Sequence, residues 1–176
     1  MIVDVDQPEL IASAASTLLG MTRPDPQVRR AEPDDAGAIG RLLHDFNSEY
    51  DDYTPGPDAL AGRVRRLLAE GEITVLLAGT APDGLAVLRF RPAIFTEGLE
   101  CYLAELYVVP AQRGRGLGRA LMTAAMEVAR QTGADYMDLG TSEADVAARA
   151  LYESLGFSNR EGKPDGPINY YYEREL

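Results

Sequence analysis

Apolar residues recur along this chain first at helical spacing, then in short runs bounded by turn residues, then in alternation between the two. After a short strand near Val28 to Ala31, the acidic start Glu32-Pro33-Asp34-Asp35 predicts a helix carrying Ile39, Leu42, Leu43 and Phe46 on one face. Asp51 to Pro57 reads as a polar loop, and Asp58 as the cap of a second helix to Ala69 with Leu60, Val64, Leu67 and Leu68 buried. Three strands follow: Ile73 to Ala78, Leu85 to Phe90 and Glu100 to Val109, separated by turns at Pro82-Asp83-Gly84 and Thr96-Glu97-Gly98. The remainder predicts a helix over Gly114 to Gln131, a strand over Ala134 to Leu139, a helix over Glu143 to Leu155 stopped by Gly156, and a last strand over Ile168 to Glu173. The order of elements gives an α+β domain around one sheet.

Residues 1–27 read as an N-terminal extension, helical or disordered, and residues 28–176 as the domain proper. Pro8-Glu9-Leu10 opens a short helix through Leu19, and Pro24-Asp25-Pro26 forms a stiff link.

Composition narrows the classes. The chain has 176 residues, 45% hydrophobic and 26% charged, which suits one globular domain rather than a disordered chain. No apolar run approaches the ~20 residues needed to span a bilayer, and no secretory signal pattern stands at Met1. A cytoplasmic protein without a membrane partner is expected. The one cysteine, Cys101, excludes an internal disulfide, and the one histidine, His44, leaves no cluster for a metal. Net charge is −11, from 28 acids and 17 bases, which disfavours a nucleic-acid partner and favours cationic small molecules.

Against that acidity stands one basic stretch. Leu106-Tyr107-Val108-Val109-Pro110 runs into Ala111-Gln112-Arg113-Gly114-Arg115-Gly116-Leu117-Gly118-Arg119 and directly into an amphipathic helix. Glycines let a backbone approach a ligand closely, and unpaired N–H groups at a helix start favour an anion. It lacks the Gly-Lys-Ser/Thr end of a P-loop and the glycine spacing of a dinucleotide fingerprint.

Arg113-x-x-Gly116-x-Gly118 after that strand resembles the acetyl-CoA signature of the GNAT N-acetyltransferase superfamily. Ala148-Arg149-Ala150-Leu151-Tyr152-Glu153-Ser154-Leu155-Gly156-Phe157 is similar to the family's second signature, so the resemblance covers about Val28 to Leu176. It implies the GNAT fold: a mixed, mostly antiparallel central sheet with a splayed strand pair, flanked by helices. It also implies acetyl-CoA as cosubstrate, no metal, and a homodimer. By position, Arg113, Gly114, Arg115, Gly116, Leu117, Gly118 and Arg119 would hold the CoA pyrophosphate. Leu106, Tyr107 and Val108 would pair their backbone with pantetheine at a bulged strand edge and supply an oxyanion-stabilising N–H. Tyr152 would touch the cofactor and serve as general acid to the departing thiolate, or only orient the thioester. Glu105, in an otherwise apolar strand, is the first choice for general base, directly or through water, with substrate-amine anchor as its other reading and Glu100 a weaker candidate. The family often has asparagine where Asp145 stands, so Asp145 is expected to face water or start a helix.

Phe46, Glu49, Tyr50, Asp51, Asp52 and Tyr53 form an acidic, aromatic cluster where the acceptor should bind, joined by Tyr170 and Tyr172 on the last strand. Leu42 to Tyr53 is distantly similar to the first helix of aminoglycoside 3-N-acetyltransferases. The sequence thus points to acetyl transfer onto a primary amine of a small, cationic molecule. A peptide or protein acetyltransferase and a non-catalytic acyl-CoA-binding module stay open beside it.

Overall fold

A computed structural model describes residues 27–174. The helix read over Pro8 to Leu19, and all of the N-terminal extension but Gln27, lie outside the described residues. Strand β1 (Val28–Arg30) leads through a 3-10 turn (Pro33–Asp35) into helix α1 (Ala36–Glu49) and helix α2 (Pro57–Ala69). A meander follows: β2 (Thr74–Ala78), β3 (Gly84–Pro92) and β4 (Leu99–Val108). A second 3-10 turn (Pro110–Gln112), helix α3 (Leu117–Gln131), β5 (Ala134–Leu139) and helix α4 (Val146–Ser154) complete the order.

The five strands form one sheet in the order β1-β2-β3-β4-β5, antiparallel throughout except for the parallel β4/β5 pair. The central strands are covered on both faces, which is why β2 reads as an unbroken apolar run. Val75 and Leu77 join Leu85, Val87 and Tyr107 beneath Ile39, Leu42 and Val64 of α1 and α2. Leu76, Ala78, Ala86, Leu88, Cys101 and Leu103 face Leu121, Met122 and Ala125 of α3, with Tyr152 of α4 beside them. Helices α1 and α2 meet almost backbone to backbone: a Cβ on Gly40 would stand 2.5 Å from the carbonyl oxygen of Pro57 and 2.7 Å from the nitrogen of Ala61. The end of α1 lies over β4, where the site is, with the Phe46 and Tyr107 ring centroids 5.3 Å apart. Among the described residues no helix is long and apolar enough to cross a membrane, and no group of three or more metal-ligating side chains occurs.

Several element ends differ from the sequence reading, each for a local reason. Asp58 does not cap α2; Gly56 does, with Pro57 in the first turn. Helix α3 begins at Leu117 rather than Gly114, because Gly114 (φ 72°) and Gly116 (φ 89°) adopt left-handed conformations that a right-handed helix cannot contain. Helix α4 starts at Val146 because Asp145 caps it, accepting from the Ala148 N–H at 3.1 Å. The expected strand over Ile168 to Glu173 does not form: Ile168 makes one isolated bridge to Arg160, and Tyr170 and Tyr172 stand exposed. Its apolar side chains, Ile168 and the three tyrosines, all stay exposed, so side-chain packing gives the backbone no reason to pair.

Candidate active site

Two irregularities of β4 create the site. Opposite β3, Val87 pairs with Glu105 but Leu88 pairs with Leu103, so Ala104 is an extra residue in a β-bulge. On its other side β4 pairs with β5 only as far as Leu103 against Leu139. From Ala104 onward that edge has no strand partner among the described residues, which is the splayed pair expected from the sequence. A cleft of about 460 Å³ opens there, walled by the end of α1, the turn before α3, the segment Gly140 to Ser142, and α4.

The edge presents its backbone in alternation. The Val109 N–H donates to the Asp83 carbonyl on the β3 side at 2.9 Å. The Val108 carbonyl in the same peptide plane therefore points into the cleft, and by the two-residue period so do the N–H and carbonyl of Leu106. Tyr107, between them, turns its backbone to β3 and offers the cleft only its ring. The Val108 carbonyl is already taken, by Nε of Arg113 at 2.9 Å.

The edge leads to the N-terminus of α3. Gly116 caps it without any side-chain hydrogen bond, and the first helical bond runs from the Ala120 N–H to the Gly116 carbonyl. The N–H groups of Leu117, Gly118 and Arg119 thus have no helical acceptor. No atom would lie within 4 Å of a Cβ at Gly114 or Gly116, so the cradle is open. Gly118 is a packing residue as well: a Cβ there would meet Leu151 of α4 at 3.4 Å.

The three arginines have three different fates. Arg113 clasps Glu49, the last residue of α1, with two bonds of 2.7 Å, and its guanidinium lies 5.7 Å above the Tyr107 ring. Arg113 holds the Glu49 carboxyl below its usual range. Arg119 donates to Ser154 on α4 at 2.8 Å and lies outside the cleft wall. Arg115 is exposed and also outside it.

Glu105 and Tyr152 both line the cleft, from opposite faces of the sheet. Glu105 shares the α1/α2 side with Tyr107, two residues on. Burial raises its carboxyl above the ordinary range, Arg89 pulling weakly the other way, and no described residue hydrogen-bonds it. Tyr152 belongs to the α3/α4 side, is 8% exposed, and meets Phe157 edge-on at 6.2 Å between ring centroids. Burial, reinforced by Asp145, pushes its hydroxyl up to about 12.

Other candidates are occupied elsewhere. Glu100 pairs with Arg91 at 2.6 Å, and the His44 ring bonds the Thr54 hydroxyl at 3.1 Å. Cys101 is fully buried, its thiol pushed up to about 11. Phe46, Tyr50 and Asp52 line the cleft, whereas Tyr53 is 86% exposed. Tyr170, Tyr171 and Tyr172 are all exposed, the Tyr171 ring lying against Gly140 and beside Tyr102. Asn47, Thr141 and Ser142 line the cleft without having been singled out from the sequence. The signal for the last two was their place just past the carboxyl end of a parallel strand, where ligands bind in open sheets.

The model of the acetyltransferase (GNAT) family matches residues 41–157. The uncharacterized N-acetyltransferase YhfO of Bacillus subtilis (strain 168) is 29% identical over 77% of this chain and 91% of its own. The aminoglycoside N(6')-acetyltransferase type 1 of Stenotrophomonas maltophilia is 30% identical over 77% of this chain and 88% of its own. A crystal structure from Arthrobacter sp. FB24, assigned to the acetyltransferases, superposes with a TM-score of 0.78 at 44% identity, covering 88% of this chain and 99% of that one.

Proposed function

This chain belongs to the GNAT acetyltransferase family and is an N-acetyltransferase; from that premise we propose that it moves acetyl from acetyl-CoA to a primary amine of a small, cationic molecule by direct transfer. The observation that carries the reading is the free edge of β4 running into the uncapped, glycine-lined start of α3. Acetyl-CoA supplies the acetyl group, activated as a thioester. The N–H groups of Leu117, Gly118 and Arg119 hold its diphosphate, and the N–H and carbonyl of Leu106 on the open β4 edge align its amide-bearing arm as an added strand.

Glu105 takes a proton from the amine as the new N–C bond forms, and Tyr152 donates its own to the sulfur as the C–S bond breaks. Tyr152 then regains a proton from solvent, and Glu105 loses one to it. Burial acts on both in the direction these roles need, making the Glu105 carboxyl more basic and keeping the Tyr152 phenol protonated. Asp52 and the rings of Phe46 and Tyr50 suit a cationic acceptor, as does the net charge of −11. The lone buried thiol of Cys101 suits a cytoplasmic, reducing setting. The outer edge of β5, unpaired among the described residues, with Tyr136 60% exposed, suits a homodimer.

The test is calorimetric titration with acetyl-CoA on wild type and on Gly116→Asn. Asparagine tolerates the left-handed backbone better than other side chains, so its main effect is to fill the cradle. Micromolar binding, about −8 kcal/mol, weakened at least tenfold by the substitution, supports the donor site. Absence of binding by folded wild type sinks it. Thiol release with a panel of polyamines, aminoglycosides and lysine peptides then identifies the acceptor class.

A further inference from the structure

Arg113 and Glu49 are 64 residues apart in sequence and are joined by two charge-assisted bonds of 2.7 Å. Such bidentate pairs fix orientation as well as distance. The pair has further anchors at both ends. On the donor side, Nε of Arg113 holds the Val108 carbonyl, and the next residue, Gly114, opens the glycine turn. On the other side, Glu49 ends α1, and the loop beyond it is folded back on that last turn. The Asp52 N–H donates to the Asn47 carbonyl at 2.9 Å, and Nδ2 of Asn47 donates to the Tyr53 carbonyl at 2.8 Å. A displacement of Arg113 is therefore carried to the α1–α2 loop, which holds the acceptor side of the cleft.

We propose that Glu49 is a positioning residue, and that its pair with Arg113 is a strut through which occupation of the donor turn orders the α1–α2 loop. The inference rests on the donor-site reading above and adds to it a defined coupling between the two substrate halves. It also assigns Arg113 to holding the turn in place, leaving the diphosphate to backbone N–H groups. A surface ion pair without this role would add only a little stability. A strut must change how one half of the site responds to the other.

Hydrogen exchange read by mass spectrometry, with CoA as the probe, needs no knowledge of the acceptor. In wild type, CoA is expected to slow exchange at the turn (113–119) and also at the loop (47–56), the latter about fivefold or more, the lower range of usual coupling. In Glu49→Gln, which keeps the shape and loses the charge, protection of the turn persists and protection of the loop disappears. Arg113→Lys, which keeps the charge but cannot bond bidentately, gives the same result. Loop protection that survives in both variants, or a wild-type loop indifferent to CoA while the turn responds, overturns the strut. A wild-type turn that does not respond at all overturns the donor site itself and the strut with it. Melting curves establish that both variants are folded, and a change in melting temperature with an unchanged exchange pattern also counts against the strut.

Discussion

Replacing Tyr152 by phenylalanine separates catalysis from packing more cleanly than any other change in this site. The ring is 8% exposed, sits among the α3/α4-side apolar residues and meets Phe157, all of which phenylalanine keeps. No described residue hydrogen-bonds the hydroxyl, so removing it leaves no protein partner unsatisfied. Stability at neutral pH should shift by no more than about 1 kcal/mol. The catalytic effect should be much larger. With the phenol pushed up to about 12, only about one molecule in ten thousand is ionised at pH 8, so the proton is available throughout the working range. General acid catalysis contributes about 10²- to 10⁴-fold, and kcat should fall by that factor while the acetyl-CoA Kd changes less than about threefold. The assay is thiol release at saturating donor and acceptor, with calorimetry for the Kd.

The pH dependence supplies a second reading. A tyrosine whose pKa is higher in the folded state than in the unfolded chain stabilises the fold as long as it stays protonated. That contribution is fully present below about pH 10 and is lost as pH rises from about 10 to about 12. Two pKa units correspond to about 3 kcal/mol, so wild type should lose that much more stability than Tyr152→Phe over the interval, in urea titrations. Below about pH 11 the rate should show no alkaline limb from this group. A kcat within threefold of wild type would refute the acid role, and parallel alkaline stability curves would refute the buried phenol.

Three further changes test the frame. Glu105→Gln should lower kcat by a factor of about 10² or more and yet stabilise the fold at pH 7 in denaturant titrations. Its carboxyl is raised by burial, so ionisation costs stability as pH rises from the ordinary carboxylate range through the raised value, and glutamine removes that cost. Gly40→Ala should destabilise by about 1–3 kcal/mol, measured by urea unfolding, because its methyl would meet the Pro57 and Ala61 backbone at 2.5 and 2.7 Å. Asp35→Asn should destabilise at neutral pH, since Asp35 accepts two bonds from Arg29 and one from the Glu32 N–H and is held at about 2. The gap to wild type should close as pH falls from about 4 towards 2, where the native carboxylate is protonated as well.

The open edge and glycine turn proposed for the donor were legible in the sequence because they are features of the backbone. An apolar strand, a proline, then glycines at 114, 116 and 118 are enough to place an uncapped helix start at the end of an open edge. The reading failed where the same glycines act twice. Gly114 and Gly116 were counted into the helix, though their positive φ angles keep them out of it. The bulge at Ala104 leaves no trace in the hydrophobic pattern, yet it turns Glu105 to the face opposite Leu103, in reach of the cleft. The last strand was misread because Ile168, Tyr170 and Tyr172 imitate the alternation of a half-buried strand, although all three are exposed.

The acceptor half was harder to read because it is assembled across long sequence separations. Glu49 looked like one acid of an acceptor-binding cluster, and Arg113 like a ligand for phosphate. Each reading was made for the residue alone, and the bond between them joins the two. A basic residue in a phosphate-binding turn does not have to contact phosphate: two of the three arginines here bond protein groups, one tying the turn to α1 and the other tying α3 to α4. In an acidic chain this has a consequence for specificity. On the proposal that backbone N–H groups hold the diphosphate, the Arg113 charge stays on Glu49, and the cleft beside Asp52 and Glu105 keeps a negative character that suits the proposed cation.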